Sequence, residues 1–201
     1  MASGKLYYVW SPMNSGKSLQ LVAKTYNFKE RNIPVLIIKP SLDDRDKGEI
    51  FSRALTTKLE CGTVTLEDDI YEMYYNECVY GLYKWMLVDE AQFLTEEQVD
   101  QLAHLVDETD VNIICYGLRT DFKTKLFPGS KRLFEIADKF EELKSTCQCG
   151  NKALINARID SNGYVVEDGP QVECGAEDKY ITLCRKCYYK AIREHLKISE
   201  L

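Results

Sequence analysis

Eight residues, Ser11-Pro12-Met13-Asn14-Ser15-Gly16-Lys17-Ser18, sit between an apolar, aromatic stretch at 6–10 and a helix-like stretch at 18–30. This placement limits what the chain can fold into more than any other feature. The segment matches the phosphate-loop pattern G-x-x-x-x-G-K-S/T in its last three positions, with Ser11 where the first glycine is expected. In such a loop Gly16 lets the backbone approach phosphates, and successive N–H groups and the helix N-terminus supply positive potential. Lys17 would then hold the β and γ oxygens, and Ser18 would ligate magnesium. The competing reading is an accidental Ser-Gly-Lys-Ser turn, which the strand-to-helix context disfavours. Ser11 raises one concern, since a non-glycine residue at a position needing positive φ costs about 1 kcal/mol or more.

The pattern beyond this loop is that of an α/β fold. The helix-like stretch carries Leu19, Val22, Ala23 and Tyr26 on one stripe, and 35–38 is a short, fully apolar run of the kind found in buried parallel strands. Runs at 86–88 and 111–115 are further strand candidates. Between them Thr95-Glu96-Glu97-Gln98 fits a capping box for a helix with Val99, Leu102, Ala103 and Val106 inward. The stretch 40–61, with Asp43, Asp44, Arg45 and Asp46, reads as a long irregular loop. After residue 145 the periodicity changes. The segments 152–160 and 164–166 flank Ser161-Asn162-Gly163, a hairpin signal, and Tyr188, Tyr189, Ile192 and Leu196 have helical spacing. Dividing 201 residues by the ~150 of a typical domain gives about 1.3, so one domain with an appendage is expected, split as 1–144 and 145–201.

Composition removes several function classes. With 45% apolar and 29% charged residues the chain can build a core. Its apolar runs fall far short of the ~20 residues of a membrane span, and its N-terminus lacks the apolar core of a secretory signal, so a cytoplasmic protein is expected. A net charge of −6 offers no basic field for a phosphate backbone, and nucleic acid is not an expected partner.

Met86-Leu87-Val88-Asp89-Glu90 supplies a second half to the site: an apolar strand whose C-terminal end presents adjacent carboxylates, where sheets of this kind bind ligands. Asp89 can hold magnesium directly or through water, and Glu90 can act as a base on an incoming nucleophile. The alternative, ordinary solvated loop acids, loses ground because a phosphate loop lies about 70 residues upstream.

Of eight cysteines, five crowd the last third, and in a reducing compartment close-spaced cysteines suit a metal better than disulfides. Cys147-x-Cys149 and Cys184-x-x-Cys187 can supply four thiolates to a tetrahedral, structural zinc in a zinc-ribbon-like unit. Cys174, inside the 34-residue insert between the pairs, is a rival ligand. Cys61, Cys78 and Cys115 read as core or loop thiols, and His104 and His195 as surface residues.

Taken together, Ser-Pro-Met-Asn-Ser-Gly-Lys-Ser, Asp43-Asp44-Arg45, Val-Asp-Glu-Ala-Gln-Phe at 88–93, Tyr-Gly-Leu-Arg-Thr-Asp-Phe at 116–122 and Asp178-Lys179-Tyr180 resemble the type II, zinc-containing thymidine kinase family. The resemblance implies a phosphate-loop NTPase-type parallel-sheet domain and a small zinc domain carrying a lasso loop. It implies ATP at Ser11 through Ser18 and at Asp89, Glu90, Ala91 and Gln92, with Glu90 taking the proton of the thymidine 5′-hydroxyl. Met13, Leu118, Phe122, Phe127 and Tyr180 would line the thymine pocket, and backbone at Val172, Glu173, Cys174, Gly175 and Ala176 would read the pyrimidine edge. Arg45, with Asp43 beside it, would approach the phosphates or magnesium. A homotetramer inhibited by dTTP is the family expectation. The chain departs from the family pattern at Ser11, in the C-x-C spacing of the first cysteine pair, and at Cys174. Two other readings compete: a nucleic-acid-stimulated ATPase or helicase, suggested by Asp89-Glu90-Ala91-Gln92, and a zinc-ribbon binding module with a degenerate nucleotide site. Helicases of that kind need two such α/β domains, and this length leaves room for one.

Overall fold

The computed structural model describes residues 4–41, 48–51, 58–78, 83–171 and 179–201. Asp43, Arg45, residues 172–176 and Asp178 lie outside them. In chain order the first elements are β1 (Leu6–Ser11), α1 (Lys17–Glu30), β2 (Val35–Pro40), β3 (Glu49–Phe51), β4 (Lys58–Glu60), β5 (Gly62–Val64) and α2 (Ile70–Glu77). There follow β6 (Trp85–Val88), a 3₁₀ turn (Ala91–Phe93), α3 (Glu96–Thr109), β7 (Asn112–Leu118), α4 (Pro128–Ile136) and β8 (Lys139–Glu142). The C-terminal part adds β9 (Ser145–Thr146), β10 (Lys152–Ala153), β11 (Ile155–Ile159), β12 (Lys179–Leu183) and α5 (Arg185–Arg193).

Six strands form one parallel sheet in the order β5-β2-β6-β7-β1-β8. Alternate residues face opposite sides of a strand, so both faces of an apolar run must find cover. Leu6, Tyr8, Leu36, Ile38, Met86, Val88, Ile113 and Cys115 pack on one face against residues of α2, α3 and α4. Val9, Ile37, Leu87, Ile114 and Tyr116 pack on the other with Leu21 of α1 and Ile50 of β3. The capping box at α3 forms as the sequence suggests: the Thr95 hydroxyl accepts from Gln98 N–H and the Gln98 side chain accepts from Thr95 N–H. Val99, Leu102 and Val106 are buried there, with Leu105.

Several expectations need correction. The inward face of α1 is Lys17, Leu21, Val22 and Thr25, while Leu19 is 36% and Tyr26 65% exposed. Two of the four buried positions are polar, which apolar counting misses; Thr25 is tolerated because its hydroxyl donates to the Leu21 carbonyl at 2.9 Å. The stretch 40–61 is not loop throughout: Pro40 belongs to β2, and β3 and β4 form an antiparallel pair, held to β2 by Lys39 Nζ donating to the Glu49 carbonyl at 2.7 Å. α5 stops at Arg193, and His195 in the left-handed region (φ 47°) turns Leu196 off the helix.

Near the C-terminus a second apolar cluster gathers Cys147, Ala153, Ile155, Ala157, Leu183, Cys184, Cys187, Tyr188 and Ile198. The Asn162-Gly163 turn forms, with Gly163 at φ 89°, but 164–166 makes only one bridge to β11, Ile159 with Val165. The full antiparallel partner of β11 is β12, with Ile155 opposite Leu183 through Ile159 opposite Lys179. The segment after β7 joins the two clusters: Tyr188 Oη donates to the Phe122 carbonyl at 3.1 Å, Gln171 to Asp121 at 2.9 Å, and Lys123 pairs with Asp168 at 2.8 Å.

Candidate functional site

The C-terminal ends of β1, β6 and β7 lie side by side, Ser11 opposite Leu118 and Val88 opposite Cys115. Ligands of open parallel sheets bind at such an edge. Between β1 and α1 the chain turns through two left-handed residues, Asn14 at φ 58° and Gly16 at φ 88°. A Cβ on Gly16 would meet nothing within 4 Å, so the glycine serves its backbone conformation and not a lack of space. Ser11 is a strand residue and is not among the positive-φ residues, so it carries none of the expected conformational cost. It is fully buried, and its hydroxyl donates to the Pro12 carbonyl at 2.9 Å while accepting from Lys17 Nζ at 3.3 Å. Ser15 donates to the same Pro12 carbonyl at 2.9 Å. Ser18 lies in the first turn of α1, half-buried.

Lys17 is 7% exposed, and its ammonium also reaches the Pro12 carbonyl at 3.3 Å. Burial pulls its pKa down; the neighbouring carboxylates of Glu90 and Asp89 oppose the shift. Both bonds from the ammonium are long, so it rests on the loop's own oxygens and is free to exchange them for stronger acceptors.

At the end of β6, Met86, Leu87 and Val88 are fully buried and deliver Asp89 and Glu90 to the same edge. Burial first, then the Glu90 charge, pushes the Asp89 carboxyl up to about 7, against the opposing Glu90 N–H, Lys17 and Lys39. Glu90 adopts the left-handed region at φ 49°, uncommon for a non-glycine residue and typical of corners that aim a side chain. Its N–H donates to Asp89 Oδ1 at 3.1 Å, and its Oε2 accepts from Gln92 Nε2 at 2.5 Å. Ala91 and Gln92 are buried in the 3₁₀ turn that follows.

The residues expected to meet a base divide into groups. Met13 is half-buried, and its N–H donates to Asn156 Oδ1 at 2.7 Å; Asn156 Nδ2 donates in turn to the Thr120 carbonyl at 3.4 Å. Leu118 is half-buried, whereas Phe122 and Phe127 are 2% and 4% exposed. The Arg158 guanidinium lies 5.2 Å over the Phe122 ring, and Tyr180 is the cross-strand partner of Arg158. Met13, Thr120, Phe122, Arg158 and Tyr180 are thus linked at one junction. Phe127 instead packs edge-on against Phe93, with ring centres 5.6 Å apart, at the start of α4. The expected contacts at Arg45, Val172, Glu173, Cys174, Gly175 and Ala176 lie outside the described residues.

Sequence reasoning passed over Asn156 and Arg158. Both sit in the buried run of β11, at 2% and 8% exposure, and a buried polar residue inside an apolar strand is itself a signal that a partner exists. It also passed over Lys39, which is 4% exposed and close enough to Asp89 to favour its charge.

The four paired cysteines converge: the Sγ atoms of Cys147, Cys149, Cys184 and Cys187 all lie within 4.8 Å of one another. A tetrahedron of sulfurs at ~2.3 Å from zinc has edges of about 3.8 Å, and Cys149 and Cys184 are 3.6 Å apart. The Asn151 backbone N–H and side-chain amide pull the Cys149 thiol down to about 6, the side chain donating at 3.3 Å. Burial and the neighbouring thiols push Cys187 up. This donor set fits a structural zinc and leaves no open position for chemistry. His104 and His195 are exposed, His195 stacking on Tyr164.

Comparison with known proteins bears on the same residues. A family model described as thymidine kinase matches residues 4–188. The thymidine kinase of Enterobacteria phage T4 is 45% identical over 183 residues, covering 90% of this chain and 93% of the relative. That of Photorhabdus laumondii is 40% identical over 194 residues, 96% of each chain, and that of Shewanella oneidensis 41% over 189 residues, 94% of this chain and 98% of the relative.

Proposed function

The chain belongs to the thymidine kinase family, and from that premise we propose that it transfers the γ-phosphoryl group of ATP to the 5′-hydroxyl of thymidine, giving dTMP and ADP. The observation that carries the reading at the site is the meeting of buried Lys17 with Asp89 and Glu90 at one sheet edge. A cation that can leave its loop oxygens for phosphate stands beside a carboxylate that can take a proton.

In this mechanism residues 11–18 wrap the ATP phosphates, Lys17 moves from Ser11 Oγ and the Pro12 carbonyl to the transferring group, and Ala91 and Gln92 complete the nucleotide side. Glu90 accepts the 5′-hydroxyl proton as the O5′–P bond forms and the bond from the γ-phosphorus to the ADP oxygen breaks. Ser18 and Asp89 are the residues suited to magnesium, an ion that when bound would offset charge on the phosphates. Arg45, with Asp43 beside it, would add to the phosphate side. The nucleoside would rest among Met13, Leu118, Phe122, Phe127 and Tyr180, with backbone at Val172, Glu173, Cys174, Gly175 and Ala176 reading the base from a lasso loop. Support comes from the Met13, Phe122 and Tyr180 neighbourhood around Asn156 and Arg158.

We divide the chain at 144/145, supported by the separate apolar cluster around the cysteines. Zinc on Cys147, Cys149, Cys184 and Cys187 would brace β9–β12 and α5. A homotetramer, feedback by dTTP and a cytoplasmic location complete the proposal, on the support of family membership. No helix among the described residues is long and apolar enough to cross a membrane. An acidic net charge of −6 argues against nucleic acid as a partner, and family membership does not favour the helicase-like alternative.

The test is transfer from γ-labelled ATP and magnesium to thymidine, beside deoxycytidine, deoxyadenosine and single-stranded DNA. Label in dTMP alone supports the reading. ATP loss stimulated only by DNA, with no labelled nucleotide, overturns it.

A further inference from the structure

We propose that Gln92 is a positioning residue: its amide holds the Glu90 carboxylate in its working orientation and ties it to the end of β7. The inference rests on the reading of Glu90 as the base. Gln92 is 1% exposed. The Leu118 backbone N–H, which can only donate, reaches its Oε1 at 2.9 Å. That bond fixes which end of the amide is which, so the NH₂ end must face Glu90, and Nε2 lies 2.5 Å from Glu90 Oε2.

The anchor is itself held. The Leu118 carbonyl accepts from Tyr8 Oη at 2.8 Å and from Ser130 Oγ at 2.6 Å, so bonds on both sides fix this part of β7. Gly117 makes room for the arrangement: a Cβ there would sit 3.0 Å from Gln92 Oε1 and 3.2 Å from Gln92 N. Glu90 needs such a clamp. Its left-handed backbone sets where the side chain starts, but a half-buried carboxylate on three rotatable bonds is not aimed by backbone alone. The family resemblance places Gln92 with ATP; its amide geometry gives its side chain a second task, and Leu118 links the base to the wall expected to hold the nucleoside.

The experiment is a double-substitution cycle on the full chain with thymidine and MgATP. Gln92→Met keeps volume and removes both hydrogen bonds. A lost bond to a charged group predicts a fall in kcat of about 10- to 100-fold, with KM for thymidine within about twofold of the parent. In a Glu90→Gln background the same substitution should cause no further loss, because the clamp then has no base to aim. Losses that multiply in the two backgrounds overturn the inference and leave Glu90 as base. A Glu90→Gln variant with full turnover overturns the base itself, a distinguishable result. Should Gln92→Met not fold, Gln92→Glu retains an acceptor for Leu118 N–H but sets a carboxylate against Glu90. A comparable loss of kcat is expected, and parental kcat would refute the clamp.

Discussion

Asn156→Ala probes the junction between the β1–α1 loop and the C-terminal part. Asn156 is 2% exposed, and its side chain reaches both Met13 N–H at 2.7 Å and the Thr120 carbonyl at 3.4 Å. Removing it leaves the half-buried Met13 N–H without its acceptor, which costs about 1–3 kcal/mol, while the longer bond adds little. The small void left by the truncation raises the expected loss to about 2–4 kcal/mol. For a chain of this size that is a fall in melting temperature of roughly 5–15 °C. Zinc content should not change, since the Asn156 side chain bonds Met13 and Thr120 and the candidate ligands are the four cysteines. The loop effect is the sharper readout: with Met13 released, MgATP should bind more weakly in proportion to the disorder allowed. Denaturant unfolding with a zinc assay and nucleotide binding calorimetry check both. A stability change below about 0.5 kcal/mol, the range of ordinary surface substitutions, with unchanged nucleotide affinity, would refute the argument that this bond sets the loop.

Three further outcomes are expected. Glu90→Gln should retain ATP binding and lose about 10² to 10⁴ in turnover, measured by product formation under saturating substrates. Cys187→Ser should lose zinc and destabilise the cluster around Tyr188 and Leu183, read by metal analysis and thermal unfolding; one zinc per chain with full stability would assign the ion to other ligands. Asp89, pushed up to about 7 chiefly by burial, is raised above the ordinary carboxylate range, so the folded state keeps a proton that the unfolded state would lose. Its contribution to stability is therefore present at low pH and falls as pH rises through about 7. In the proposed mechanism the ionised form of Asp89 is the one that would ligate magnesium, so magnesium-nucleotide affinity should rise between about pH 6 and pH 8 in the parent more than in Asp89→Asn. Equal pH dependence in the two proteins would remove Asp89 from that role.

What could be read from sequence was local. Gly16, Lys17 and Ser18 follow one another where a strand becomes a helix, and the capping residues Thr95 and Gln98 are three apart, so short-range chemistry identifies them. The cysteine pairs were legible because metal ligands come in close spacings, although only the fold brings Cys147 and Cys149 to Cys184 and Cys187. The buried face of α1 was misread because Lys17 is buried against the oxygens of Ser11 and Pro12 and Thr25 through a backbone bond, neither of which apolar periodicity records. Helices α2 and α4 and the edge strands β5 and β8 escaped notice, being short and supported by long-range packing. Asn156 and the clamp function of Gln92 depend on partners 143 and 26 residues away, Met13 and Leu118, which no spacing rule reaches.

The most direct measurement is a crystal structure with thymidine, magnesium and a non-hydrolysable ATP analogue. The account predicts the Glu90 carboxylate within about 2.6–3.2 Å of the thymidine 5′-oxygen, Lys17 Nζ on the terminal phosphate, and Gln92 still bridging Glu90 and Leu118 N–H. A 5′-oxygen remote from Glu90, with another group of the chain at hydrogen-bond distance, would contradict it.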